Sequence, residues 1–164
     1  MKLNFFLLLI VAGLLFIAIE KPGLEDSLAS KKITTISAKE IQTIEIISID
    51  KTKVSFFKKN NQWFVKHKQK EHMVNMDKLN PLLQIPETTS LKSFSASVEQ
   101  LKQYHLLRPP ISIRFDKTTI AFGNSEPINH RRYVSINNQV HLIADLYYHL
   151  LLQPVNSYIK ITQQ

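Results

Sequence analysis

Ile111-Ser112-Ile113-Arg114-Phe115-Asp116 alternates apolar and polar residues without a fault. A period of two puts Ile111, Ile113 and Phe115 on one side of a strand and Ser112 and Arg114 on the other. One face is therefore buried and the other wet. Asp116-Lys117 turns this strand into a second one over residues 118–122, and 123–129, with Pro127, reads as a loop. On the upstream side Pro109-Pro110 stops a helix. Ser97 and Gln100 open that helix as a capping box, with Val98, Leu101 and His105 along one stripe.

Further out, the same period recurs. Residues 41–49, rich in Ile and Thr, predict a first strand. Residues 54–57 and 63–67 flank Asn60-Asn61, and Asn tolerates positive φ, so they predict a hairpin. A two-residue turn pairs Lys58 with Trp63, Phe57 with Phe64 and Phe56 with Val65. Val54, Phe56, Trp63 and Val65 then share the natural core side. Phe57 and Phe64 share the other side with Lys53, Lys66 and Lys68. A second Asn-Asn hairpin joins 133–136 to 140–143 through Asn137-Asn138.

Residues 76–84 read as helical, with Leu79, Leu82 and Leu83 on one side. Pro81 marks a separate turn capped by Asn80, and Pro86 ends the segment. Residues 91–94 predict a short strand. Asp145 caps a closing helix over 146–152, Pro154 ends it, and 158–161 adds an edge strand. Strand, Asn-Asn turn, strand and helix thus occur twice, each time ending in Leu-Leu-Gln and a nearby Pro. This pattern is either an internal duplication or one local solution reached twice.

The N-terminus has a different character. Residues 5–19 are an uncharged apolar run, followed by Glu20, Lys21 and Pro22. Such a run spans a bilayer or forms the core of a secretion signal. No small-residue cleavage site follows closely, so an uncleaved anchor is favoured. Lys2 precedes the run, while Glu20, Glu25 and Asp26 outweigh Lys21 behind it. The positive side is cytoplasmic, which exports the remainder. The expected organisation is an anchor at 1–19, a linker at 20–40 and an exported domain at 41–164. The expected fold class is α+β: a transmembrane helix, then one small domain of antiparallel hairpins and short helices. The expected location is the inner membrane, single-pass, with the domain in the periplasm.

Composition narrows the chemistry. The chain has no cysteine, hence no disulfide, thiolate metal site or Cys nucleophile. Three glycines exclude a glycine-rich phosphate cradle. The formal charge is +8, which attracts polyanions. His67, His72, His105, His130, His141 and His149 form no HExxH and no close same-face pair with a carboxylate. No Gly-x-Ser-x-Gly, Ser-x-x-Lys or paired carboxylates occur, so no enzyme activity, cofactor or metal is expected. Two surfaces stand out. Phe57 and Phe64, rimmed by Lys53, Lys66 and Lys68, suit a protein partner or a membrane interface if that sheet face is open. His130-Arg131-Arg132 is the densest cationic cluster, and Arg131 and Arg132 offer forks for a carboxylate or phosphate.

The order of motifs carries a resemblance. Gln62-Trp63-Phe64-Val65 precedes a helix with paired leucines. Then come Leu101-x-x-Tyr104-x-Leu106-x-x-Pro109, Ile120-Ala121-Phe122-Gly123, Pro127, Tyr133-Val134 and a strand at Val140. From residue 41 to 152 this resembles the bacterial membrane-anchored family catalogued as domain of unknown function 4340. Where that pattern has Gly before Leu106, this chain has His105. The resemblance implies an envelope protein, with some relatives associated with ABC-type transport systems, and it supplies no catalytic residues. The function expected is a non-catalytic, membrane-tethered periplasmic interaction module. It would be an accessory subunit of an inner-membrane assembly, held in the membrane through residues 3–19, with protein partners and no nucleic acid. The alternative is a binding module for an anionic envelope ligand, using Arg131, Arg132 and the lysine-rich strand.

Overall fold

The structure, a computed structural model, describes residues 31–161. Along them run β1 (Lys31–Lys32), β2 (Thr43–Ser48), β3 (Lys53–Lys59), β4 (Gln62–His67) and β5 (Lys70–Met73). Next come α1 (Met76–Leu83), β6 (Thr89–Ser90), β7 (Lys92–Ser95) and α2 (Val98–Gln103). β8 (Ile111–Phe115), β9 (Thr118–Glu126), β10 (Arg131–Ile136), β11 (Gln139–Ala144) and α3 (Tyr148–Leu151) follow. Turns of 3-10 helix occupy Ile85–Glu87 and Val155–Tyr158.

One nine-stranded sheet organises the molecule, in the order β5-β4-β3-β2-β8-β9-β10-β11-β7, with every pairing antiparallel. β8, the faultlessly alternating stretch, is its middle strand. Two four-stranded meanders, β2–β5 and β8–β11, run outward from the β2–β8 seam. Asp116 ties that seam. Its carboxylate accepts from the Thr43 amide at 2.8 Å and the Thr43 hydroxyl at 2.9 Å.

The faces of the sheet differ. On one side Ile44, Ile46, Phe56, Val65, Ile113, Phe115, Ile120, Phe122 and Val134 are buried beneath Leu79, Leu82, Ile85, Leu151 and Tyr158. This layer of α1, α3 and the 3-10 turns closes the main core. On the reverse side, among the described residues, only the second meander is covered. There Tyr104, following α2, stacks on Tyr133 at 4.1 Å, and Phe94 of β7 meets Tyr104 edge-on at 6.1 Å. Leu106, Val140 and Leu142 are buried outside the main core.

Several expectations are corrected. The fold class is α+β, but among the described residues as one β-rich sheet with three short helices. Among the described residues no helix is long and apolar enough to cross a membrane. The longest, α1, has eight residues and rises about 12 Å, against a hydrocarbon core of about 30 Å. Residues 1–19, on which the transmembrane helix was expected, lie outside the described residues. The single-pass inner-membrane location, the periplasmic domain and the membrane partner all rested on that helix, and nothing among the described residues supports them. The two strand-strand-helix stretches are not placed alike. Asn60-Asn61 makes the second turn of its meander and Asn137-Asn138 the third turn of the other. The two hairpins occupy non-equivalent places, and β5 stands between the first of them and α1.

Local departures have local causes. α1 runs through Pro81 because Asn75, not Asn80, caps it and accepts from the Asp77 amide at 3.0 Å. β9 continues to Glu126 because β10 pairs with it past a register shift between Arg132 and Val134. The edge strand expected over 158–161 is reduced to a single bridge between Val74 and Ile159, after a 3-10 turn over Val155–Tyr158.

α2 keeps its predicted capping box, Ser97 hydroxyl with the Gln100 amide and Gln100 side chain with the Ser97 amide. Its far end is a Schellman motif, with Leu106 N–H donating to Leu101 O at 2.7 Å and His105 N–H to Lys102 O at 3.1 Å. That motif requires a left-handed residue, and His105 has φ 55°. A side chain there is strained by about 1 kcal/mol. His105→Gly is therefore expected to stabilise the fold by roughly 0.5–1 kcal/mol, the looser unfolded chain offsetting part of the gain. Urea midpoints measure it, and a destabilised variant would refute the motif as the source of strain.

Candidate functional site

The β3–β4 hairpin has the register that its Asn60-Asn61 turn predicts: Lys58 opposite Trp63, Phe57 opposite Phe64, Phe56 opposite Val65. Both asparagines have positive φ, 51° and 62°, matching the twist of the strands. Phe57 and Phe64 stack with ring centroids 5.9 Å apart at 22°. They lie half-buried on the reverse side of the sheet, away from the main core. Met73 stands opposite Phe64 on β5 and is 41% exposed. Phe57, Phe64 and Met73 thus form an apolar ladder across three strands. Among the described residues, no helix or strand of the structure is packed on it.

The next rung is charged. Glu45 of β2 sits between Lys53 of β3 and Arg114 of β8 and pairs with both. Lys66 stands opposite Glu71. Lys59 and Gln62 bound the ladder on its other side. Lys68 lies in the β4–β5 turn, where Lys68 and Gln69 both have positive φ. Residues 51–78 carry eight lysines (51, 53, 58, 59, 66, 68, 70 and 78) against Glu71 and Asp77. That is a local net charge of +6 out of the chain's +8.

The arginine cluster does not join this surface. β10 lies four strand positions from β3, about 19 Å at the usual strand spacing. Arg132 is buried and already engaged. Its Nε donates to Asp145 Oδ1 at 2.7 Å, Nη2 to Oδ2 at 2.8 Å, and Nη1 to the Gly123 carbonyl at 2.6 Å. Its guanidinium also lies 3.6 Å from the centre of the Tyr148 ring. Arg132 is thus a structural clamp, and Asp145 is its partner. α3 starts only at Tyr148 and has no side-chain cap. Arg131 stands half-buried at the start of β10, opposite Glu126 and Ala144.

Sequence reading missed a buried Ser–His pair. His141 Nδ1 lies 3.0 Å from Ser90 Oγ, and the Ser90 hydroxyl donates to the Lys92 carbonyl at 3.0 Å. With that proton committed, the ring must donate from Nδ1. A nucleophilic serine needs the opposite polarity. The pair instead fastens β6 to β11. Burial, and secondarily the charge of Lys31, hold the His141 pKa below its usual value. The unfolded chain then binds more protons below about pH 6.5. Stability is expected to be full above that pH and to decline as pH falls toward the folded-state value. His141→Gln, neutral throughout, should flatten the urea midpoint between pH 7.5 and 5.5. An unchanged slope would assign the effect to another group.

Among the described residues no group of three or more His, Cys, Asp or Glu is placed to hold a metal ion. A cleft of about 950 Å³ opens at the β5 edge, with Trp63, Met73, Met76, Lys58, Lys78 and Lys160 on its walls. No family model, curated protein or solved structure matches the chain.

Proposed function

We propose that this protein is a non-catalytic binding module that recognises an anionic ligand through the basic surface of β3, β4 and β5. The observation that carries this reading is charge segregation: residues 51–78 hold a net +6, and Lys53, Lys59 and Lys66 stand on the same side of the sheet as the apolar ladder. Lys53 is answered by Glu45, and Arg132 by Asp145, so the surface centres on Lys59, Lys66 and Lys68. The reading replaces the membrane-tethered accessory subunit, and it does not draw on the resemblance to the family of unknown function 4340.

Exposed cations act over about 10 Å at 0.1 M salt and are screened beyond it. Fluorescence anisotropy with labelled poly-glutamate tests the proposal. Affinity is expected to fall about tenfold between 50 and 300 mM NaCl. Lys66→Glu with Lys68→Glu should weaken binding at low salt, and Arg131→Glu should not. Binding indifferent to ionic strength, or absent at 50 mM, would reject it.

A further inference from the structure

The reverse side of the sheet supplies its own comparison. Over the second meander, one short stretch of chain, α2 and the residues after it, closes it by laying Tyr104 on the sheet. Tyr104 stacks on Tyr133 at 12° and 4.1 Å, and Phe94 packs edge-on against Tyr104. Gly123 lets that stretch sit against the strand, since a Cβ there would collide with the Tyr104 carbonyl oxygen. Over the first meander the same side offers an aromatic pair, Phe57 on Phe64, and Met73 beside it. Among the described residues no stretch of chain closes it. The two halves differ in charge as well. Residues 109–161 carry five Lys and Arg against three Asp and Glu, while the lysines crowd residues 51–78.

We infer that the Phe57–Phe64–Met73 ladder is a docking surface for an acidic segment of a partner protein that presents an aromatic side chain. The segment lies on the first meander as residues 98–106 lie on the second. Its ring packs on Phe57 and Phe64, and its carboxylates face Lys59, Lys66 and Lys68. A polypeptide fits because the molecule already closes this kind of surface with one, aromatic against aromatic. Acidity follows from charge complementarity, which sets partner choice and encounter rate. Docking rests on the anionic-ligand reading and adds the requirement for a ring.

The test compares three probes on the full chain: poly-glutamate, a random glutamate–tyrosine copolymer of matched charge, and vesicles of anionic phospholipid. The copolymer is expected to bind about tenfold more tightly than poly-glutamate at equal salt. Phe57→Thr with Phe64→Thr, which keeps good strand formers on the exposed side, should erase that difference. The same variant should leave the salt-dependent poly-glutamate binding in place. Equal binding of both polymers by the unaltered chain would overturn the docking inference and leave the basic-surface reading standing, whatever the variant's folding. Tighter binding to vesicles than to the copolymer, lost in the variant, would overturn it in favour of a lipid surface. Binding to none of the three at low salt would remove both readings.

Discussion

Replacing Arg132 by methionine lowers the unfolding free energy by about 3–5 kcal/mol. The side chains of Arg132 and Asp145 are 11% and 19% exposed, so their charges lie largely outside the reach of water. Removing the guanidinium leaves Asp145 as a lone carboxylate in a poorly hydrated place. The Gly123 carbonyl loses its donor as well. The loss exceeds that of an exposed ion pair, which is worth about 0–1 kcal/mol. Asp145→Ala should cost a similar amount. Combining Arg132→Met with Asp145→Leu should recover part of the loss, because apolar replacement of a whole buried pair is often close to neutral. Urea titration of the four proteins makes a double-mutant cycle. Losses below 1 kcal/mol for each single change would mean that the pair behaves as a surface contact.

Phe56→Ala is expected to cost about 3–5 kcal/mol, through lost transfer energy and a residual cavity. Phe56 is 1% exposed in the main core, where it meets the Tyr158 ring edge-on at 5.1 Å. The Tyr158 hydroxyl donates to the Leu150 carbonyl at 2.5 Å. Phe56 thus joins the first meander to the C-terminal turn that follows α3. Burial pushes the Tyr158 phenol up to about 12. An unfolded tyrosine ionises near pH 10. Stability from this group is therefore present below about pH 10 and lost as pH rises toward 12. Tyr158→Phe should remove that alkaline loss. Thermal unfolding at pH 7 and pH 10.5 reads both effects. A Phe56→Ala chain within 1 kcal/mol of the parent would show that the core collapses around the gap.

Much of the strand content was legible because its causes are local. Alternation in 111–115 identified β8 and its buried side. Asn60-Asn61 and Asn137-Asn138 supplied the positive φ that two-residue hairpins need, which fixed register. Ser97 and Gln100 set the start of α2 by hydrogen bonds three residues apart. β5 was missed because its turn, Lys68-Gln69, takes the same positive φ with residues that give no such signal. Of the candidate surface, Phe57, Phe64, Lys53 and Lys66 were correctly grouped on one side of a hairpin, because a period of two permits no other arrangement. Arg132 was misread for the converse reason. Its fate depends on Asp145, thirteen residues later and one strand across the sheet.

The order of residues alone determined most of the strands, which side of those is apolar, and where positive charge collects. Those properties follow from backbone sterics and side-chain alternation over a few residues. Tertiary structure decided that β2 lies beside β8, that Arg132 is consumed by Asp145, and that among the described residues the lysine-rimmed half of the sheet is left open while the other half is covered. An alternating strand specifies a buried side without naming its neighbour. Neighbours are chosen by long-range packing, where many strands of equal local quality compete for the same core.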